Sequence, residues 1–258
     1  MARMAYVTAY DRAKKIPAWT AEHLTAASVK RPEGASGDRS GSTFSEDESI
    51  PFMFRAKLSD YFRSGYDRGH MVPAADAKSS QEAMNETFLL SNIAPQVGEG
   101  FNRHYWAYVE AFCRNLTQSF QDVYVFTVPL FLPKKCPDGK WRVEYEMIGA
   151  NAPSIAVPTH FAKVVLAARP PGVKSFSASQ ALVPLSENSP KEWSMGAFVL
   201  PNAPIPDQVD LKTFVVPVEA VENAAGVNFF PQGLKHQAKP LCSTVNCAVV
   251  AKRYDDKK

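Results

Sequence analysis

Twenty prolines divide this 258-residue chain into short elements, and the segments between them include runs rich in β-branched and aromatic residues. Proline breaks helix interiors and removes a ladder donor from strands, so its positions bound each element. On this pattern Val123 to Thr127, Trp141 to Ile148, Thr159 to Ala167 and Gly196 to Leu200 read as strands. Ala5 to Tyr10 reads as another, and Phe88 to Ile93 as one stopped by Pro95. The clearest helix runs from about Asn102 to Leu116, where Trp106, Val109, Cys113 and Leu116 recur at spacings of three and four. Ser79 to Asn85 suits a short helix with serine caps, and Pro217 to Gly226 one that opens on proline and closes at glycine. The stretch 31–49, polar and rich in Gly and Ser, reads as a surface loop, and 232–258 as a C-terminal extension. No repeat or clean linker splits this mixed pattern, which predicts one domain over 1–258.

Composition excludes little. A hydrophobic fraction of 45% with 21% charged residues is that of an ordinary globular protein with a substantial core. No apolar run approaches the roughly 18–20 residues that span a bilayer. The net charge of +3 permits a polyanionic partner without demanding one. Met1-Ala2-Arg3-Met4 runs at once into strand-like sequence, with no secretory or Arg-rich presequence pattern; either none is needed or it lies outside this chain.

The residues that carry chemistry begin with Asp67-Arg68-Gly69-His70-Met71. Gly69 lets the backbone turn sharply or approach closely beside His70. A neutral imidazole near pH 7 is suited to taking a proton from water. Asn102 falls near the middle of the apolar stripe, at the predicted helix's first turn, where a polar amide needs a partner. It is either a helix cap or a ligand, through its oxygen, for a hard cation between this helix and a facing strand. Glu110 and Arg114 lie about 40° apart on the helix flank. They are either a surface ion pair or an acid beside a phosphate clamp. Together these residues supply a general base, a hard-metal ligand, a second acidic group and an Arg fork. That inventory suits phosphodiester cleavage.

The Asp67-Arg68-Gly69-His70 stretch resembles the signature of the DNA/RNA non-specific endonucleases with a ββα-metal active site. So does Thr87-Phe88-Leu89-Leu90-Ser91-Asn92-Ile93-Ala94-Pro95-Gln96, followed at the expected distance by Asn102, Trp106, Glu110 and Arg114. Phe126 to Pro133, Val157 to Phe161 and Val199 to Pro204 look like the endonuclease G branch, and the match runs from about residue 5 to residue 230. Val128 stands where that branch usually has glycine, and the tail with Cys242 and Cys247 looks like the fungal members.

The resemblance implies an α+β fold, with a central, mainly antiparallel sheet flanked by helices. It implies a ββα-metal motif running from His70 through Phe88–Ile93 to the helix. His70 would be the general base and Asn102 the sole protein ligand of Mg2+, with Mn2+ a substitute. Glu110 would hold one of the metal's waters, and Arg114 would contact the phosphate. Arg68 and the more weakly placed Arg39 are substrate-contact candidates, and Asp67 and Asn92 would support the site. DNA and RNA are the implied substrates, cut to leave 5′-phosphate ends. A homodimer, mitochondrial residence with release during cell death, and an unidentified protein inhibitor are implied on the same ground. The alternative from another class is an idle nucleic-acid-binding module of the same fold.

Other chemistries lack their residues. No Gly-x-Ser-x-Gly elbow is present. Gly98-Glu99-Gly100 lacks the third glycine of a nucleotide loop. Cys113, Cys136, Cys242 and Cys247 have no zinc-site spacing. Ordinary free thiols are expected of them, with a local Cys242–Cys247 bridge the alternative. His104 and His160 read as structural.

Overall fold

The computed structural model describes residues 1–30, 38–173 and 189–251. In chain order, β1 (Tyr6–Asp11) and β2 (Ile16–Leu24) make a hairpin. A short α1 (Leu58–Tyr61) precedes β3 (Asp67–His70), and α2 (Gln81–Thr87) precedes β4 (Ile93–Gln96), its antiparallel partner. A wide π-helical turn, Gly98–Tyr105, opens α3 (Trp106–Asn115), and β5 (Asp122–Leu130) follows. Two small ribbons come next: β6 (Lys134–Lys135) with β7 (Trp141–Arg142), and β8 (Met147–Ile148) with β9 (Ile155–Ala156). The long strands β10 (His160–Arg169) and β11 (Glu192–Pro201) are followed by β12 (Val215–Val216) and α4 (Val218–Ala225). Last come α5 (Gln232–Gln237), β13 (Lys239–Pro240) and α6 (Leu241–Thr244).

The large sheet has the order β1-β2-β5-β10-β11-β12, all antiparallel, with β13 parallel beside β11. Strand β10 is buried along almost its whole length, since it has a neighbour on each side and a packed layer on each face. Successive side chains of a strand point to opposite faces. Phe161, Val165 and Ala167 therefore join Phe101, Trp106, Val109, Phe112 and Cys113 from the α3 layer. Ala162, Val164 and Leu166 join Val218, Val221, Phe229 and Phe230 on the opposite face. The α3 stripe is buried as its period requires, and each large apolar side chain so buried stabilises by about 1.5–3 kcal/mol. By parity Lys163 lies on the α3 face, level with Thr127 and beside Thr20 and Glu22 through the β2–β5 register. All four are buried polar residues in the floor beneath α3.

Local chemistry sets the ends. The Ser80 hydroxyl accepts from Ala83 N at 3.0 Å and caps α2. Gly226, at φ 68°, closes α4 in the left-handed conformation that glycine adopts without strain. Among the described residues, no helix is long and apolar enough to cross a membrane.

Several predicted elements shift. The predicted helix from Asn102 starts as an α-helix only at Trp106; Asn102 sits on the π-turn before it, its N–H bonding to Val97 O at 2.9 Å. Phe88 to Ile93 is a turn rather than a strand, because the Asn92 side chain ties the turn to Thr87 O and to both backbone groups of Val72. The strand begins at Ile93 and continues through Pro95, which pairs with Arg68 in a two-stranded ribbon. Trp141 to Ile148 is not one strand: Val143 and Tyr145 are exposed and outside any ladder. Of the loop at 31–49, residues 31–37 lie outside the described residues. The remainder is partly built in: Ser45 bridges to Leu89, and buried Asp47 pairs with Arg3. Cys242 and Cys247 are disulfide-bonded rather than free, because the turn of α6 brings their Cα atoms to 5.2 Å. Cys113 and Cys136 remain thiols.

Candidate active site

The ribbon β3–β4 positions the imidazole. His70 pairs with Ile93 and Gly69 with Ala94. A Cβ at Gly69 would overlap the buried Gln96 side-chain amide, so only glycine lets β4 pass this close. Beyond β3, Met71 N bonds to Asn92 O at 2.9 Å. The Asn92 amide takes Val72 N at 3.0 Å and donates to Val72 O at 2.9 Å and Thr87 O at 2.8 Å. One buried amide thus locks the chain just past His70.

The His70 ring lies between two phenylalanines. Its centroid is 5.4 Å from that of Phe44 and 4.7 Å from that of Phe88, the latter edge-on. Nε2 is buried without a hydrogen-bond partner among the described residues. Burial, reinforced by the nearby Arg39 charge, pushes the imidazole down to about 3. The ring is therefore neutral across any working pH. The two phenylalanines also carry cations: the Arg68 guanidinium sits 4.5 Å from the Phe44 centroid, and Arg39 5.8 Å from that of Phe88. Arginine and imidazole thus share the same pair of aromatic rings.

Asn102 is no helix cap. Its Nδ2 donates to Asp67 Oδ2 at 2.9 Å, which leaves the amide oxygen pointing away from Asp67. Burial alone would raise the Asp67 carboxyl, but hydrogen bonds from Arg103 (2.8 and 2.6 Å) and Asn102 hold it below its ordinary value. A carboxylate that accepts from the amide nitrogen fixes which end of Asn102 is the oxygen. Gly100, at φ 74°, makes the non-helical kink inside this turn, and a Cβ there would crowd Pro204.

Glu110 and Arg114 project from α3 but do not pair with each other. Arg114 Nη1 donates to Asp76 Oδ1 at 2.8 Å, and Asp76 is almost fully buried on the turn after His70. Burial pushes the Glu110 carboxyl up to about 7, against the charges of Lys163 and Arg114. Arg39 acts electrostatically on both His70 and Glu110, which puts these three residues near one another. His104 and His160 are held by local bonds, to Gly100 N and the Thr159 hydroxyl. No cluster of three or more His, Cys, Asp or Glu suited to a metal occurs among the described residues. Asn102 offers an amide oxygen and Glu110 a carboxylate, both donors that suit a hard cation.

Sequence reasoning did not single out Phe44, Phe88, Asp76, Glu22 or Lys163. Two had a legible signal: Phe44 is a lone aromatic in a polar stretch, and Lys163 a lone charge in an apolar strand. The others are ordinary until the fold places them.

The sequence model of the DNA/RNA non-specific endonuclease family matches residues 2–236. The chain belongs to this family. A nuclease of Syncephalastrum racemosum is 48% identical over 251 residues, 96% of this chain and 72% of that protein. The mitochondrial nuclease of Saccharomyces cerevisiae is 46% identical over 255 residues, 98% of this chain and 72% of that protein. Among solved structures, the EndoG/EndoGI complex, which describes EndoG inhibition, aligns with a TM-score of 0.79 at 43% identity. That alignment covers 93% of this chain and 91% of the other. This endonuclease-family chain is thus a nuclease, a phosphodiester hydrolase, with the α+β architecture of EndoG.

Proposed function

We propose that these residues act as one nuclease domain, which hydrolyses DNA and RNA internally, without regard to the sugar, and leaves 5′-phosphate ends. The His70 imidazole carries this reading, because its Nε2 has no hydrogen-bond partner among the described residues and a neutral ring nitrogen can take a proton from water. His70 takes the proton of the attacking water. Arg114 presents its free N–H groups to the nonbridging oxygens as the phosphate gains charge. Arg68 and Arg39, set over Phe44 and Phe88, grip the flanking backbone. Asp67 and Asn92 support the site, one holding Asn102 and the other the chain beyond His70.

The family is one of metal-dependent nucleases, and the donor set fits a hard divalent ion. Asn102 commits its amide nitrogen to Asp67 and keeps its oxygen for a ligand, and Glu110 offers a carboxylate. Magnesium prefers oxygen and commonly keeps several waters, so a single protein ligand suffices. Asn102 would hold Mg2+, with Mn2+ a substitute, and Glu110 would hold one of its waters. When bound, the ion stabilises the charge on the phosphate and the departing 3′ oxygen. Glu110, raised by burial, would be held in its ionised form by such an ion.

Relatives named as mitochondrial nucleases support a mitochondrial setting. A homodimer, release during cell death and control by an inhibitor protein complete the proposal. Cleavage of plasmid and total RNA, with magnesium and with EDTA, tests it beside His70→Ala. Cleavage of both substrates that needs metal, and that falls about 10²–10⁴-fold in His70→Ala with DNA binding and melting unchanged, is expected. Tight binding without cleavage by the wild-type protein would instead identify an idle binding module.

A further inference from the structure

The Asn102 amide is aimed by a relay of side chains that ends on the protein surface. Asp67 opens β3 and pairs with Gln96, the last residue of β4, just before the π-turn. Three donors converge on its carboxylate. Asn102 Nδ2 donates to Oδ2 at 2.9 Å, Arg103 Nε to the same oxygen at 2.8 Å, and Arg103 Nη2 to Oδ1 at 2.6 Å. A guanidinium fork that meets both oxygens fixes the plane of a carboxylate as well as its position.

Among the described residues no other cation pairs with Asp67; its neighbour Arg68 lies over the Phe44 ring instead. The fit around this pair is tight. A Cβ on Gly98 would lie 2.9 Å from both Asp67 oxygens and 3.0 Å from Arg103 Nη2. Glycine at this position thus leaves room for the fork.

The lock matters because the two ends of an asparagine amide have nearly the same shape and opposite polarity. Turned over, Asn102 would offer N–H groups to a cation. A carboxylate can only accept, so a fixed Asp67 selects the orientation that keeps the oxygen for the ion. The Asp67 side chain is 22% exposed, and held by Asn102 alone it would be free to turn toward water or toward the cation itself.

We propose that Arg103 is a positioning residue for the metal-binding amide: its guanidinium locks Asp67 by both oxygens, and the locked carboxylate turns the Asn102 oxygen to the cation. The inference rests on the reading of Asn102 as the magnesium ligand. It brings into the site a side chain that is 61% exposed and whose ion pair, as a surface pair, contributes little to folding.

The test uses the full chain and two variants. Arg103→Met removes the fork at similar length, and Gly98→Ala crowds it while keeping every charge. Magnesium alone is titrated into each by calorimetry. Deleting a nearby positive charge would by itself tighten cation binding, whereas losing the aim of the amide weakens it, so the sign separates the two effects. Both variants are expected to bind magnesium about fivefold or more weakly than wild type, as for the loss of a group that orients a metal ligand. The second readout needs no metal: the side-chain NH2 resonances of Asn102, identified as the pair missing from Asn102→Ala. They should be protected from exchange in wild type and move to free-amide values in both variants. Unchanged resonances in Arg103→Met, or magnesium binding that is unchanged or tighter, overturns the proposal. Unchanged binding with a raised KM for DNA would make Arg103 a phosphate contact, which also overturns it. Should Arg103→Met fail to fold, Gly98→Ala decides by the same two readouts. A wild-type protein that shows the protected amide yet binds no magnesium removes the metal reading and the proposal with it. A wild type that binds magnesium, with variants that do so equally well, removes the proposal alone.

Discussion

At the scale of single residues, burial does the chemical tuning. His70 has a folded pKa of about 3 against 6.5 for the exposed group, so below about 6.5 the unfolded chain binds a proton that the folded one refuses. Its contribution to stability is whole above that value and drains away as pH falls toward 3. Urea unfolding should show wild type losing about 3 kcal/mol more than His70→Gln between about pH 7 and pH 4. Equal losses would mean that the ring is wetter than its phenylalanine cage implies. Glu110 is shifted the other way, to about 7, and unbound it would accept a proton in the working range. A divalent cation favours its ionised form, so the acid limb of kcat/KM should move to lower pH as magnesium rises. A limb that ignores magnesium would dissociate Glu110 from the metal.

At the scale of elements, the site is a ribbon, a π-turn and a helix, each held by a side chain distant in sequence. Asn92 makes three buried hydrogen bonds, and Asn92→Ala would strand two backbone carbonyls and one N–H. It should cost about 3 kcal/mol in denaturant unfolding, and cleavage should fall with it because the chain beyond His70 is released. A loss within error would show that water replaces the amide. The π-turn was illegible in the sequence, since the residues of Gly98–Tyr105 carry no periodic signal distinct from the helix that follows. The α3 stripe was legible because helical period and burial speak to the same face. Reading Glu110 and Arg114 as four apart on one face was correct as geometry. Their spacing nonetheless says nothing about Asp76, which arrives from a different segment and takes the guanidinium.

At the scale of the whole molecule, both faces of the sheet are covered, and the site uses one of them. The other carries α4 and α5, while α6 and the Cys242–Cys247 bridge close the edge beside β11. That bridge spans a short loop, so the chain-entropy argument assigns it about 2 kcal/mol. Replacing both cysteines by serine should lower the melting temperature while leaving cleavage per folded molecule unchanged. A loss of turnover in the folded double variant would tie the tail to the site. The sequence left the bridge as the alternative to free thiols, because two cysteines five apart bond only if the intervening chain turns, and that turn is set by packing against β11.

The sequence by itself determined most of the long strands, the buried stripe of α3, the capped helices and the family to which the chain belongs. These follow from short-range periodicity, caps and a motif read in order along the chain. The tertiary structure alone decided how those residues are tuned and aimed. Asp67 orients the Asn102 amide, Asp76 rather than Glu110 takes Arg114, and Phe44 and Phe88 dry the imidazole. Glu22 and Lys163 come beneath the site only through the registers of β2 with β5 and of β5 with β10. Hydrogen bonds and desolvation act over a few ångströms in space, whatever the separation along the chain, and only the folded sheet and its helices set those distances.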